Sequence, residues 1–200
     1  MADVLAAILA GGESRRMKRA KAVIELAGKP LISYPIAAAR AAGLEPIVVA
    51  KRGSELPALD CPVLVEDEER SHPLAGVVAV LRDRNRPVLA LGCDMPLLSA
   101  ELLGWLAAQP EALVVPQIGG RLQPLLARYS PGLAGPLAVA LEAAEPVHEA
   151  LRRLGLRLVG EPELEHFGDP DRLAFNVNSP ADLQEAERLL ATGTTSTSAL

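Results

Sequence analysis

Three short polar stretches of the chain hold residue types suited to handling phosphate. The first is LAGGESRRMKRAK, Leu9 to Lys21. Arg15, Arg16, Lys18, Arg19 and Lys21 stand there against the single acid Glu13, a local net charge of +4 in a chain whose overall charge is −5. Gly11 and Gly12 admit backbone angles closed to other residues and, lacking side chains, let a ligand reach main-chain N–H groups. Successive N–H groups form an anion-binding concavity. Beside it, Lys21 offers a point charge and the arginines offer forked donors, a combination that suits a triphosphate. The spacing is neither GxxxxGK[ST] nor GxGxxG. Taken alone, such a loop also reads as a solvated connection from strand to helix.

The second stretch is GCDMP, Gly92 to Pro96, where Asp94 follows an apolar run with no base beside it. A hard-cation ligand facing phosphate oxygens is one reading, and a turn or cap residue is the other. Mg²⁺ typically takes one or two protein oxygens and fills its remaining positions with phosphate and water, so a lone carboxylate suffices. The third is FNVNSP, Phe175 to Pro180. Asn176 or Asn178 offers an amide oxygen as a second ligand, while turn chemistry before the last helix explains both equally well.

Each stretch needs an element to place it. Val4–Leu9 is a short apolar run stopped by Gly11-Gly12, as a buried parallel strand would be. Leu31–Gly43 follows Pro30 and ends in glycine, which predicts a helix with Pro at its first turn. Pro46–Ala50, Pro62–Glu66, Pro87–Gly92 and Ala112–Pro116 read as strands. Leu74–Asn85 is apolar at 74, 77, 78 and 81, the helical period. Ser99 caps a helix that runs through Ala108. Beyond Gln117 the alternation loosens. Gly119–Tyr129 turns into an extended segment, Leu133–Leu154 is helical with a break at Pro146, and Leu156–Gly160 returns as a strand. Ser179 caps the last helix, with Pro180 at its first position and Asp182 closing a capping box.

Strands alternating with helices predict a three-layer α/β fold with a mostly parallel central sheet. Ligands of such sheets bind beyond the carboxyl ends of the strands. All three polar stretches follow or adjoin those ends, so they are expected to converge on one rim. A single domain is expected over residues 1–191, with 192–200, small and polar, as a disordered tail.

Composition bounds the function. Half of the 200 residues are apolar, but only five are Phe, Trp or Tyr, so the core rests on Leu, Ala and Val. Net acidity argues against a general nucleic-acid or acidic-membrane binder. Almost no aromatics are available to stack bases, and the basic charge stays within one loop. Cys61 and Cys93 show no metal-ligand spacing and read as buried reduced thiols. Asp3 and the paired glycines interrupt the one apolar N-terminal run, and nothing approaches the ~18 apolar residues of a membrane span. A soluble, cytoplasmic protein is expected.

Together the stretches resemble a known group. LAGGESRRMKRAK is similar to the LAGGxSxRMGxxK motif of nucleotidyltransferases. LAGKPLI (26–32), VEDEERSHPLAGVVAVL (65–81), GCDMPLLS (92–99) and FNVNSPADL (175–183) match that group in order, over about residues 3 to 190. The doubled glycine, where cytidylyl-transferring relatives usually show LAAG, and the terminal NVNSP point to the MobA-like molybdenum cofactor guanylyltransferases. The resemblance implies a Rossmann-like nucleotidyltransferase fold. It also implies transfer of GMP from GTP to the terminal phosphate of molybdopterin, with release of pyrophosphate.

By that resemblance Leu9, Ala10, Gly11 and Gly12 form the nucleotide loop, Lys21 binds phosphate, Asp67 contacts guanosine, Asp94 ligates Mg²⁺ and Asn178, or else Asn176, lies near metal and substrate. Arg15 and Arg16 would hold the departing pyrophosphate. A phosphate monoester is already a nucleophile, so no general base is required, and the three histidines form no catalytic pair in sequence. Contacts with molybdopterin-donating enzymes and molybdoenzyme apoproteins follow from the family alone. The chain departs from the motif at Lys18, where glycine is usual, and at Ala20, where an acid often precedes the lysine. The rival readings are a sister transferase using CTP or another phosphorylated acceptor, such as a sugar phosphate or corrinoid precursor, and a nucleotide-binding domain without catalysis. Acceptor recognition is expected in the looser second half, with Arg121, Gln123 and Arg128 as candidates.

Overall fold

The structure is a computed structural model that describes residues 4–10, 13–14, 19–66, 72 and 74–193. Gly11, Gly12, Arg15, Arg16, Lys18 and Asp67, all named above, lie outside the described residues.

In chain order β1 (Leu5–Leu9) leads to two small hairpins, β2 (Glu13–Ser14) with β3 (Arg19–Ala20) and β4 (Glu25–Leu26) with β5 (Lys29–Pro30). The second hairpin turns through Ala27 and Gly28, both at positive φ, the geometry that suits a two-residue hairpin loop. Then follow α1 (Ser33–Ala41), β6 (Glu45–Lys51), β7 (Val63–Glu66), α2 (Ala75–Arg84), β8 (Val88–Gly92) and α3 (Ala100–Ala107). The second half adds β9 (Leu113–Ile118), β10 (Arg121–Leu122), β11 (Leu126–Tyr129), α4 (Ala134–Glu142), α5 (Val147–Arg153) and β12 (Arg157–Val159). It closes with α6 (Glu161–Leu164), α7 (Pro170–Leu173) and α8 (Pro180–Gly193).

Eight of these strands form one sheet, in the order β10-β9-β11-β8-β1-β6-β7 with β12 beside β9. The β1, β6, β7 and β8 pairings are parallel, as is β12 with β9, and β11 runs antiparallel between β8 and β9. The mostly parallel three-layer architecture expected from the sequence is therefore present. Alternate residues of each strand face opposite layers. Ala6 and Ile8 of β1 and Leu89 and Leu91 of β8 pack with α1 and α3, while Leu5, Ala7, Val88 and Ala90 pack with α2, α4 and α5. Both faces being buried, the strands read as unbroken apolar runs. Among the described residues no helix is long and apolar enough to cross a membrane.

Two expectations shift. Pro30 sits in β5 and not at a helix start; α1 begins at Ser33, and the proline in its first turn is Pro35. The last helix runs to Gly193, into the stretch expected to be a tail, and residues 194–200 lie outside the described ones. The break at Pro146 is real: Ala144 takes a positive φ, and Pro146 is the N-cap of α5.

Candidate active site

β1 and β8 lie side by side, Leu9 opposite Gly92, and both end at the carboxyl rim of the sheet. Cys93 donates its N–H to the Leu9 carbonyl at 3.3 Å, and Ala10 donates to the Val49 carbonyl at 2.8 Å. The chain then turns at Asp94. Gly92 makes that turn possible: a Cβ there would stand 2.7 Å from Asp94 Oδ1 and 3.2 Å from Met95 Cγ. The carboxylate occupies the space where any other residue at 92 would put its side chain.

The third polar stretch is fastened to the same point. Val177 donates its N–H to the Asp94 carbonyl at 2.9 Å. Its side chain is fully buried with Leu26, Leu31 and Ala186 in a small cluster that joins α8 to the β4–β5 hairpin. Apolar packing thus fixes the asparagine segment against the region that carries Lys21. Lys21 itself opens a single 3₁₀ turn, Lys21–Val23, anchored by buried Ala22 and Ile24. The Ala22 and Ile24 carbonyls accept from Ile32 and Leu31.

From these three supports one constellation results. Lys21 Nζ donates to Asp94 Oδ2 at 2.5 Å and to Asn178 Oδ1 at 2.6 Å. The Lys21 and Asp94 side chains retain 15% of their exposure each, enough to be reached from the rim. Asn178 is held in turn: Asp182 Oδ2 accepts its backbone N–H at 2.9 Å, while Ser179 Oγ accepts that of Asp182 at 3.2 Å. The expected capping box is thus drawn one residue wider, with its acid reaching Asn178 and not the cap residue. Of the two asparagines it is Asn178 whose amide oxygen meets the Lys21 ammonium; the amide N–H groups of both donate to main-chain carbonyls, Asn176 to Ala174 at 2.6 Å and Asn178 to Asn176 at 3.4 Å.

Chemically, the carboxylate oxygen of Asp94 and the amide oxygen of Asn178 converge on one cation, the Lys21 ammonium. Two hard oxygen donors so placed fit a magnesium ion that takes its other ligands from phosphate and water. Among the described residues no three His, Cys, Asp or Glu side chains group into a metal cage. The histidines stand apart: His72 Nδ1 accepts from the Leu74 N–H at the start of α2, His148 lies on α5, and His166 contacts the Glu163 carbonyl. Beside Asp94, the Cys93 thiol is pushed up to about 12, chiefly by burial and secondly by the Asp94 charge. It is no nucleophile at neutral pH.

The rim extends to β7, whose last residue Glu66 is buried against the start of α2. A Cβ on Gly76 would collide with Leu9 Cδ1 and stand 3.2 Å from Glu66 Oε2, so glycine lets α2 approach the strand ends. Asp67, the residue expected at guanosine, comes next in the chain. Of the second-half candidates, Arg128 is structural. Its buried guanidinium donates to the Ala107 and Glu111 carbonyls and to Ser130 Oγ, tying β11 to the loop after α3. Burial holds it below the usual arginine range, with the Glu111 charge opposing. Gln123 donates locally to the Arg121 carbonyl.

A mostly parallel α/β sheet presenting a lysine, an aspartate and an asparagine at its strand ends is suited to holding a nucleotide phosphate with a divalent cation. The family model of the MobA-like NTP transferase domain matches residues 6–159. The chain is 32% identical to a probable molybdenum cofactor guanylyltransferase of Pelotomaculum thermopropionicum, over 93% of each chain. It is 34% identical to a molybdenum cofactor guanylyltransferase of Cereibacter sphaeroides, over 92% of this chain and 95% of that one. The crystal structure of molybdopterin-guanine dinucleotide biosynthesis protein A from Archaeoglobus fulgidus superposes with a TM-score of 0.79, at 24% identity and covering 94% of this chain and 98% of that one, which shows the shared fold. This chain belongs to the MobA-like NTP transferase family.

Proposed function

We propose that the protein transfers GMP from GTP to the terminal phosphate of molybdopterin, forming molybdopterin guanine dinucleotide. An oxygen of the acceptor phosphate bonds to the α-phosphorus as the α–β anhydride bond breaks, and pyrophosphate leaves. Phosphoryl-type transfer asks the protein mainly for alignment and charge stabilisation. The observation that carries this reading is the Lys21–Asp94–Asn178 constellation at the strand ends. The relatives named as molybdenum cofactor guanylyltransferases, at 32% and 34% identity, support the choice of nucleotide and acceptor.

In this reading Asp94 and Asn178 hold Mg²⁺, which when bound neutralises phosphate charge. Lys21 then exchanges its carboxylate for the triphosphate. Leu9, Ala10, Gly11 and Gly12 supply the main-chain cradle, Arg15 and Arg16 stabilise the leaving pyrophosphate, and Asp67 selects guanosine. The lack of a histidine pair fits a nucleophile that arrives ionised. The reaction is placed in the cytoplasm, where molybdopterin-donating enzymes and molybdoenzyme apoproteins would be its protein contacts.

The test is pyrophosphate release from GTP, CTP, ATP and UTP, each with Mg²⁺ and molybdopterin. Release from GTP alone, dependent on both metal and acceptor, is expected. A preference for CTP would move the protein to a sister activity. Binding of Mg-GTP with no turnover, given a competent acceptor, would leave a nucleotide-binding domain without catalysis.

A further inference from the structure

The second half of the chain carries a cleft that the constellation around Asp94 does not use. It encloses about 330 Å³ between β10 and α5. Leu122, Pro124 and Val147 give it apolar lining, and Arg121, His148 and Arg152 give it cationic or ionisable lining. His148 and Arg152 are four residues apart on α5, so they share one face of the helix. Among the described residues neither Arg121 nor Arg152 has an acidic partner, and the acid beside the group is Glu149, 3.8 Å from His148 Nε2. Arg153 behaves differently, held by both carboxylate oxygens of Glu145 at 3.0 and 2.7 Å. One arginine of α5 is thus tied down and its neighbour is left to meet a ligand.

The topology sets this cleft beside the reaction centre. β8 and β9 are both antiparallel to β11, so they run parallel and end on the same rim. The β9–β10 turn therefore emerges where Asp94 does, two strand positions along, or roughly 10 Å at ~4.8 Å per strand. Leu122 and Val147 pack against the core under α2 and α4.

We infer that this cleft is the acceptor subsite. It receives the end of the acceptor remote from the reacting phosphate: an anionic group set on a flat heterocycle. The heterocycle lies on Leu122, Pro124 and Val147, and Arg121 and Arg152 pair with the anionic oxygens as forked donors. His148, one helical turn from Arg152, lines the cleft beside it. The inference rests on the guanylyl-transfer reading, which requires a phosphorylated acceptor long enough to reach from Asp94 along the rim.

The experiment uses the full chain and the variants Arg121→Ala, Arg152→Ala and their combination. Both side chains are exposed, so folding is not at stake. Loss of one charge-assisted hydrogen bond corresponds to about 10-fold or more in affinity. The expected result is a KM for molybdopterin raised at least about 10-fold in each single variant and further in the double, with kcat at saturating acceptor within about 2-fold and Mg-GTP thermal stabilisation unchanged. Arg152→Lys should recover part of the loss. An unchanged acceptor KM in a wild-type background that does transfer GMP overturns the inference, as does a lower kcat at unchanged KM. Failure of the wild type to transfer GMP instead overturns the underlying activity, so the two failures are separable.

Discussion

Lys21 and Asp94 lie 73 positions apart in sequence, yet Lys21 Nζ and Asp94 Oδ2 are 2.5 Å apart. The same ammonium reaches Asn178, 157 positions from Lys21. One cation therefore joins the start, the middle and the end of the chain at the mouth of the sheet. The desolvation of a part-buried ion pair offsets much of its attraction, so the pair is weak evidence for a stabilising role and its placement points to chemistry.

Replacing either member tests this. Lys21→Ala and Asp94→Ala should each lower turnover by at least about 10²-fold, the usual cost of removing one preorganised charge contact. Lys21→Arg should not restore it, because a planar fork cannot take the place of a compact ammonium between two oxygens. Melting temperatures should stay near wild type. Pyrophosphate release under single-turnover conditions is the readout, and near-normal rates in either alanine variant would remove the constellation from the mechanism.

The two asparagines of FNVNSP should separate cleanly. Asn178→Ala removes an oxygen that faces the Lys21 ammonium and should cost about 10-fold or more in turnover, equivalent to one lost hydrogen bond to a charged group. Asn176→Ala removes a bond to the Ala174 carbonyl and should change stability while sparing turnover. Asp182→Ala should behave like a weaker Asn178→Ala, since Asp182 holds the Asn178 backbone. Mg²⁺-dependent GTP stabilisation, followed by thermal shift across the three variants, gives the ranking. Equal effects at 176 and 178 would contradict it.

How much of this was legible beforehand follows from physical range. The strands and most helices announce themselves locally, through apolar runs such as PVLALG and punctuation by Gly, Pro and Ser99, whose hydroxyl does accept the Leu102 N–H. Lys21 and Asp94 drew notice as a cation of a glycine-rich basic loop and a lone carboxylate after an apolar strand, each with a bland reading beside it, and it was the resemblance to the family that singled them out. The role of Gly92 was not legible, since it depends on where the Asp94 carboxylate folds back, a contact that no spacing rule encodes. Arg128 misled for the opposite reason. A cation in a loose segment looks available, and only the tertiary fold shows three local acceptors around it. The short α6 and α7 also escaped notice, each being only four residues and too brief to display a period.

Gly92→Ala should dissociate activity from stability. The added methyl meets the free end of the Asp94 side chain and the flexible Met95 chain, and both can yield. The stability cost should stay at or below about 1–2 kcal/mol, the lower part of the range for overpacking. The carboxylate, however, must leave its position against Lys21. Turnover should fall at least about 10-fold while the urea midpoint moves little, a comparison of kcat and chemical denaturation on one preparation. A large loss of stability with intact kcat would show that the carboxylate position is not what glycine protects.

The alkaline limit of stability should be governed in part by Tyr129. Its hydroxyl donates to the Pro124 carbonyl at 2.8 Å, and complete burial pushes the phenol far above its ordinary range. The unfolded chain ionises this group near its usual value of about 10, while the native state keeps the proton. The native state then binds more protons than the unfolded one above pH ~10, so stability is complete below that pH and falls as pH rises through it. Tyr34, raised by partial burial first and by the Glu187 charge second, adds a smaller contribution of the same sign. These are the only two tyrosines in the chain. Phenolate absorbance should therefore appear late and together with unfolding, and Tyr129→Phe should flatten the decline above pH ~10 while costing about 1 kcal/mol at neutral pH through the lost hydrogen bond. A reversible phenolate transition of both tyrosines near pH ~10 in the folded protein, with no loss of near-ultraviolet circular dichroism, would refute the burial argument.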